Sequence, residues 1–192
     1  MDTLTDLLPV LLAGLSSLIL FTNKNWRWNI LALALQYVAV FWMVLQVWTL
    51  GMAVVKLIAG WMAGAILGSA VSDEKINTEN DNNMEQRFKI IISVIIWIII
   101  FSVSQGIKLW LPIPDSIIIG GLILISIGIL QVGISVRPIR IIFGLLTAFS
   151  GFEVLYAGVE RSVLVAGFLV LITLGIALLG VLFIQQQEGE II

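Results

Sequence analysis

The 192 residues include no cysteine and no histidine. Those two absences remove disulfides, thiol nucleophiles, Cys/His zinc sites, haem and iron–sulfur ligation, and the imidazole general base. Charge is scarce as well. Only 11% of residues are Asp, Glu, Lys or Arg, where a soluble domain carries about 25%. Ten basic against twelve acidic residues leave a formal charge of −2, too little to point to a nucleic-acid partner. The chain also has no Walker run, dinucleotide fingerprint, zinc-protease motif or Gly-x-Ser-x-Gly elbow. Ser102 and Ser104 have no base beside them in sequence. No catalytic residues, no metal site and no small-molecule cofactor are expected, so any enzymatic role would be that of a subunit in a larger oxidoreductase or antiporter.

What the chain has is apolar length: 60% of it is hydrophobic. Residues 28–55, 90–107, 116–136 and 162–187 contain no charge at all. A bilayer-spanning helix needs about 20 largely apolar residues, and each run reaches or approaches that. Shorter runs at 7–23 and 57–72 lie between Asp6, Lys24, Lys56 and Asp73, and 141–152 is cut by Glu153. The pattern predicts an all-α polytopic membrane protein of about seven transmembrane helices, at 5–22, 28–47, 51–71, 89–106, 116–135, 139–158 and 162–185. Continuous apolarity excludes a barrel, whose strands would alternate with period two. The first helix is not expected to be a cleaved signal, because Asp2 and Asp6 stand where a positive n-region would be.

The basic residues give an orientation. One face collects Lys24, Arg27, Lys75, Arg87, Lys89, Arg137 and Arg140, and the other only Lys108 and Arg161. The positive-inside rule then predicts an external N-terminus and a cytoplasmic C-terminus. Trp26, Trp28, Trp48, Trp61, Trp110 and Tyr156 read as interfacial anchors. The stretch SDEKINTENDNNMEQ reads as a cytoplasmic linker, and Pro112 and Pro114 place an outer loop. The organisation expected is a first three-helix membrane unit (1–71), a hydrophilic linker (72–88), a linking transmembrane helix (89–106), a second three-helix unit (107–185) and a cytoplasmic tail (186–192).

The two units resemble each other. Each has an apolar helix, a tight basic turn, a second helix, a short outer turn and a third helix. With an offset of 113 residues, Lys24 falls on Arg137 and Arg27 on Arg140. The linking helix gives both units one orientation, so they read as parallel repeats about an axis along the membrane normal.

The segment from Gly121 through Arg137, Arg140 and Gly144-Leu145-Leu146 resembles the start of the K subunit of respiratory complex I. That family includes the C subunit of Mrp-type cation/proton antiporters and, in duplicated seven-helix form, component E of hydrogenase-4-type complexes. The shared pattern is a Gly-rich helix, a basic turn and a helix with an early Gly-Leu and a buried acid. The tail Thr173-Leu-Gly175-Ile-Ala177 is similar to the family's small-residue third helix, and Arg27, Gln36 and Lys56 give a looser match in the first half. The resemblance implies a small non-redox membrane subunit bordering a proton or cation path, in a bacterial inner membrane or a related energy-transducing membrane. Its partners would be antiporter-like integral membrane subunits and lipids. The chain departs from the family at two places. Leu146 stands where a membrane glutamate is expected, and the helix at 162–185 has no acid. Glu153, seven residues beyond Leu146, returns to nearly the same helix face about 10 Å farther along.

Glu153 and Lys56 are the candidate site, because an ionisable group inside a membrane is costly unless paired, hydrated or protonated. Each lies about five residues, or about 8 Å, inside the outer ends of its helix. They are read either as a charge pair or water-linked relay, or as a snorkelling lysine and a hydrated acid. Gln36, Gln131 and Thr173 line a possible polar path or bond across helix contacts. Gly60, Gly64 and Gly68 form a small-xxx-small run for helix packing. Asp6 and Asp115 are expected to cap helices, and Arg137 and Arg140 to fix topology or meet an anionic lipid head group. Three functions remain open: the ion-path subunit, a structural or assembly subunit without conduction, and an independent small transporter or channel.

Overall fold

The computed structural model describes residues 3–70 and 83–189 and shows seven helices. They are α1 (Thr3–Thr22), α2 (Trp26–Leu45), α3 (Leu50–Ala70), α4 (Asn83–Ile107), α5 (Asp115–Ile134), α6 (Pro138–Val159) and α7 (Val163–Gly189). No strand occurs among the described residues. In hydrocarbon a helix satisfies its backbone groups internally, and that is what long uncharged runs dictate. α2 to α7 are each long and apolar enough to cross a membrane, and the apolar part of α1, Asp6–Thr22, is slightly shorter. The chain is an integral membrane protein.

The helix ends follow local chemistry. α2 opens at Trp26, two residues earlier than expected, because the Asn25 side chain accepts from the Arg27 N–H and caps it. α6 opens on Pro138, whose missing N–H costs nothing at that position. Pro112 and Pro114 lie in the turn between α4 and α5. Two boundaries are corrected. α4 starts at Asn83 instead of 89, because its polar first turns are anchored: Glu85 pairs with Lys89 one turn on and with Lys24 at 3.7 Å. The rest of the predicted linker, including Lys75, lies outside the described residues. α7 runs on to Gly189 through a glutamine-rich segment of fair helix formers, so most of the expected tail is helix, and 190–192 lie outside the described residues. Asp6 and Asp115 stand within the first turns of α1 and α5 and do not cap them; Pro114 occupies the cap position of α5. Both acids still complement the helix dipole.

Six helices close a ring in the order α1, α2, α3, α7, α6, α5, and α2 and α6 touch across its middle. α4 lies outside, against α5 and α1. Exchanging α1–α2–α3 for α5–α6–α7 leaves the set of touching helices unchanged. One end of the bundle holds the α1–α2 and α5–α6 turns and the start of α4; we call it the basic end. There Arg140 donates to the Asn23 carbonyl at 3.3 Å, joining the two turns. At the far end the Trp48 indole N–H donates to the Glu160 carbonyl at 3.0 Å, and Ser116 donates to Gln46 at 2.6 Å. Trp48 is therefore buried against the opposite half instead of anchoring at the interface. Trp61 stands in the middle of α3 and donates to the Ala34 carbonyl, so it too is not an interfacial anchor.

Two apolar clusters fill the ring. The larger, around Met43, Val44, Ile117, Leu124, Ile127 and Val154, lies toward the far end. The smaller, around Leu20, Leu33, Leu67, Phe143 and Leu146, lies toward the basic end. On α2, α3, α6 and α7 a band of buried polar side chains lies between them.

Candidate functional site

The polar band is built by four helices. Lys56 on α3 is buried and forms a hydrogen-bonded ion pair with Oε1 of Glu153 on α6, which is buried too. Thr173 on α7 donates to the same oxygen at 3.2 Å and to the Leu169 carbonyl at 3.1 Å. α2 contributes Gln36, whose amide donates to Ser150 Oγ at 2.9 Å and accepts from Thr147 Oγ1 at 3.3 Å. Thr147, Ser150 and Glu153 recur every three residues, so they line one face of α6. Lys56 and Glu153 each lie six residues from the far end of their helices, Leu50 and Val159. At 1.5 Å per residue that is about 9 Å of depth.

Removing two charges from water costs several kcal/mol each, and only close pairing with further hydrogen bonds offsets it. The arrangement supplies part of that. Oε1 receives two donors, while Oε2 receives none from the protein. On its own helix Lys56 lies between buried Ala53 and Ala59.

The sequence-derived candidates divide into two groups. Lys56, Glu153, Thr173 and Gln36 converge on the band. Gln131 does not: it is buried near the basic end and donates to the Arg140 carbonyl at 3.0 Å. Between it and Thr147 lie Phe143, Leu146 and Leu33, all without solvent contact, over a seven-residue step from Arg140 that spans about 10 Å. The band formed by α2, α3, α6 and α7 thus stops short of Gln131.

Gly60, Gly64 and Gly68 face α2. A methyl group at Gly60 would sit 2.0 Å from Tyr37 Cγ and one at Gly68 3.0 Å from Ile30 Cδ1, whereas at Gly64 the contact would be an ordinary 3.8 Å. The run's partner is therefore inside the chain. Sequence reasoning missed Tyr37, a fully buried residue beside the pair, because a lone tyrosine in an apolar run carries no pattern. It also missed the glycine seam between α5 and α6, although the seam has a signal. Gly121 and Gly128 are seven apart, as are Gly144, Gly151 and Gly158, which is the spacing of one helix face. At the basic end Lys24, Glu85, Lys89 and Arg140 gather around Asn23, with Lys89 over the Phe21 ring at 5.6 Å.

Comparison with known protein families, with characterised proteins and with solved structures finds no match to this chain.

Proposed function

We propose that this protein is a small non-redox subunit of a complex I-like, hydrogenase-like or Mrp-like membrane assembly, bordering a proton or cation path with its Lys56–Glu153 centre. One observation carries this reading: an ionisable pair with a hydroxyl donor, buried inside an apolar bundle where it joins α3 to α6. Such a group is expensive to keep, and in membrane proteins that cost is associated with moving charge. The resemblance of residues 121–180 to the complex I K subunit family supports it, as does the shared helix wiring of the two halves, which we read as parallel repeats. The interrupted polar band argues for a subunit that borders a path over one that forms an open channel alone. The clustering of basic turns at one end favours a cytoplasmic C-terminus in an energy-transducing membrane.

The test is mild-detergent affinity purification with mass spectrometry, followed by ion translocation in the native membrane. Co-purifying antiporter-like subunits and a translocation defect in Glu153→Gln are the expected results; a lone monomer overturns the reading. A second reading, a structural subunit without conduction, is favoured by the way the pair ties α3 to α6. It predicts full activity of the assembly in a Lys56→Leu, Glu153→Leu double variant.

A further inference from the structure

Two buried oxygens beside the ion pair receive no hydrogen bond from the protein: Oε2 of Glu153 and the hydroxyl of Tyr37. Leaving such a group unpaired costs about 1–3 kcal/mol, and two such atoms around one ion pair suggest a common partner. Tyr37 is fully buried, and its hydroxyl comes near Thr173, which itself donates to the Glu153 carboxylate, without making a well-aligned hydrogen bond there. Its ring is held where it is by Gly60, one turn along α3 from Lys56, because any side chain there would occupy the ring's place. Gly60 therefore does more than bring α2 and α3 together: it makes room for the Tyr37 ring one turn from Lys56.

We propose that Tyr37 Oη, Glu153 Oε2 and Thr173 Oγ1 bind one water molecule, which makes Tyr37 a further member of the Lys56–Glu153 centre. The hydrogen bonds balance. The Tyr37 hydroxyl donates to the water, and the water donates to Oε2 and to Thr173 Oγ1, whose own proton is already committed to Oε1 and the Leu169 carbonyl. Three bonds is the usual complement of an internal water. A water on Oε2 leaves the Lys56 contact on Oε1 intact, so the carboxylate has one oxygen for the pair and one for exchange with a mobile proton. Tyr37 acts as a positioning residue for that water.

Only two tyrosines are present, so a Tyr156→Phe background leaves Tyr37 as the single phenol signal. UV resonance Raman of the purified full chain then reads whether its hydroxyl donates a hydrogen bond. The expected result is a donor in the background protein and loss of donation in Glu153→Leu. Because an unpaired Lys56 endangers folding there, the Lys56→Met, Glu153→Leu double variant is the second arm and should lose donation too. A structure with ordered solvent resolved should show one peak within hydrogen-bond reach of all three oxygens, absent in Tyr37→Phe. A free hydroxyl in the background protein, donation unchanged in both variants, no peak, or direct contact of the hydroxyl with the carboxylate each overturns the proposal. None of these readouts involves a partner or transport, so their failure is separable from failure of the ion-path reading.

Discussion

The two halves of the bundle make the same helix contacts but close them with different chemistry. The α5–α6 seam is glycine against backbone. A methyl group would lie 2.3 Å from the Ala148 nitrogen at Gly128, 2.6 Å from the Gly121 carbonyl at Gly151, and 2.9 Å from the Gly128 carbonyl at Gly144. The α1–α2 seam has no such feature: α2 lacks glycine altogether, and Gly14 on α1 faces the Trp97 ring of α4. Shared wiring therefore does not require shared packing. In membranes, where water supplies no drive between helices, close backbone approach strengthens van der Waals contact. The second half is a tight frame that presents Glu153, Ser150 and Thr147. The first half is joined by side chains and presents Lys56, Gln36 and Tyr37. The functional candidate sits where the unlike halves meet.

The largest effect should come from breaking that meeting point. Lys56→Met or Glu153→Leu alone leaves one buried charge uncompensated, at a cost of about 3–5 kcal/mol. The double variant should recover most of this, because two apolar side chains of similar size need no partner. Unfolding in detergent, followed by circular dichroism across the double-mutant cycle, reads the coupling. Additive losses in the double variant would mean that the halves are not joined through this pair.

The next effect tests whether the seams differ as described. Gly128→Ala and Gly151→Ala push a methyl group into backbone that cannot rotate away, and should cost about 1–3 kcal/mol by overpacking. Gly133→Ala, with nothing within 4 Å, and Gly64→Ala, at ordinary contact distance, should be neutral or stabilising by up to about 1 kcal/mol, since alanine is the better helix former. Thermal unfolding of the four variants checks it. Equal behaviour of all four would remove the reading of the α5–α6 seam as glycine packed against backbone.

Much of this was legible in the sequence, and the boundary of legibility has a physical cause. Charge-free length gave the seven helices, and charge rarity singled out Lys56 and Glu153. Both signals are local: hydrocarbon acts on each segment separately. Which helix faces which is not local. A polar residue on an apolar helix shows that it will seek a partner without showing which one, so Thr173 and Gln131 looked alike although only Thr173 reaches Glu153. Tyr37 gave no warning because its role depends on a glycine on another helix. Trp48 and Trp61 were misplaced for the same reason, since an indole serves equally as interfacial anchor or as donor to a neighbouring carbonyl.

Two smaller perturbations sharpen how the halves are tied along their length. Trp48→Phe keeps an aromatic ring, smaller than the indole, and loses the bond to the Glu160 carbonyl; the lost bond alone should cost about 0.5–1.5 kcal/mol and loosen the far end selectively. Hydrogen exchange in the α6–α7 turn should rise while the basic end stays protected. Gln36→Leu should do least. Ser150 retains its bond to the Thr147 carbonyl at 2.8 Å, so only the cross-helix part is lost, and such bonds inside membranes average about 0.6 kcal/mol. A loss several times larger would show that Gln36 holds the Tyr37 side of the centre in register with α6. The first half would then be as exacting at its polar contacts as the second is at its glycines.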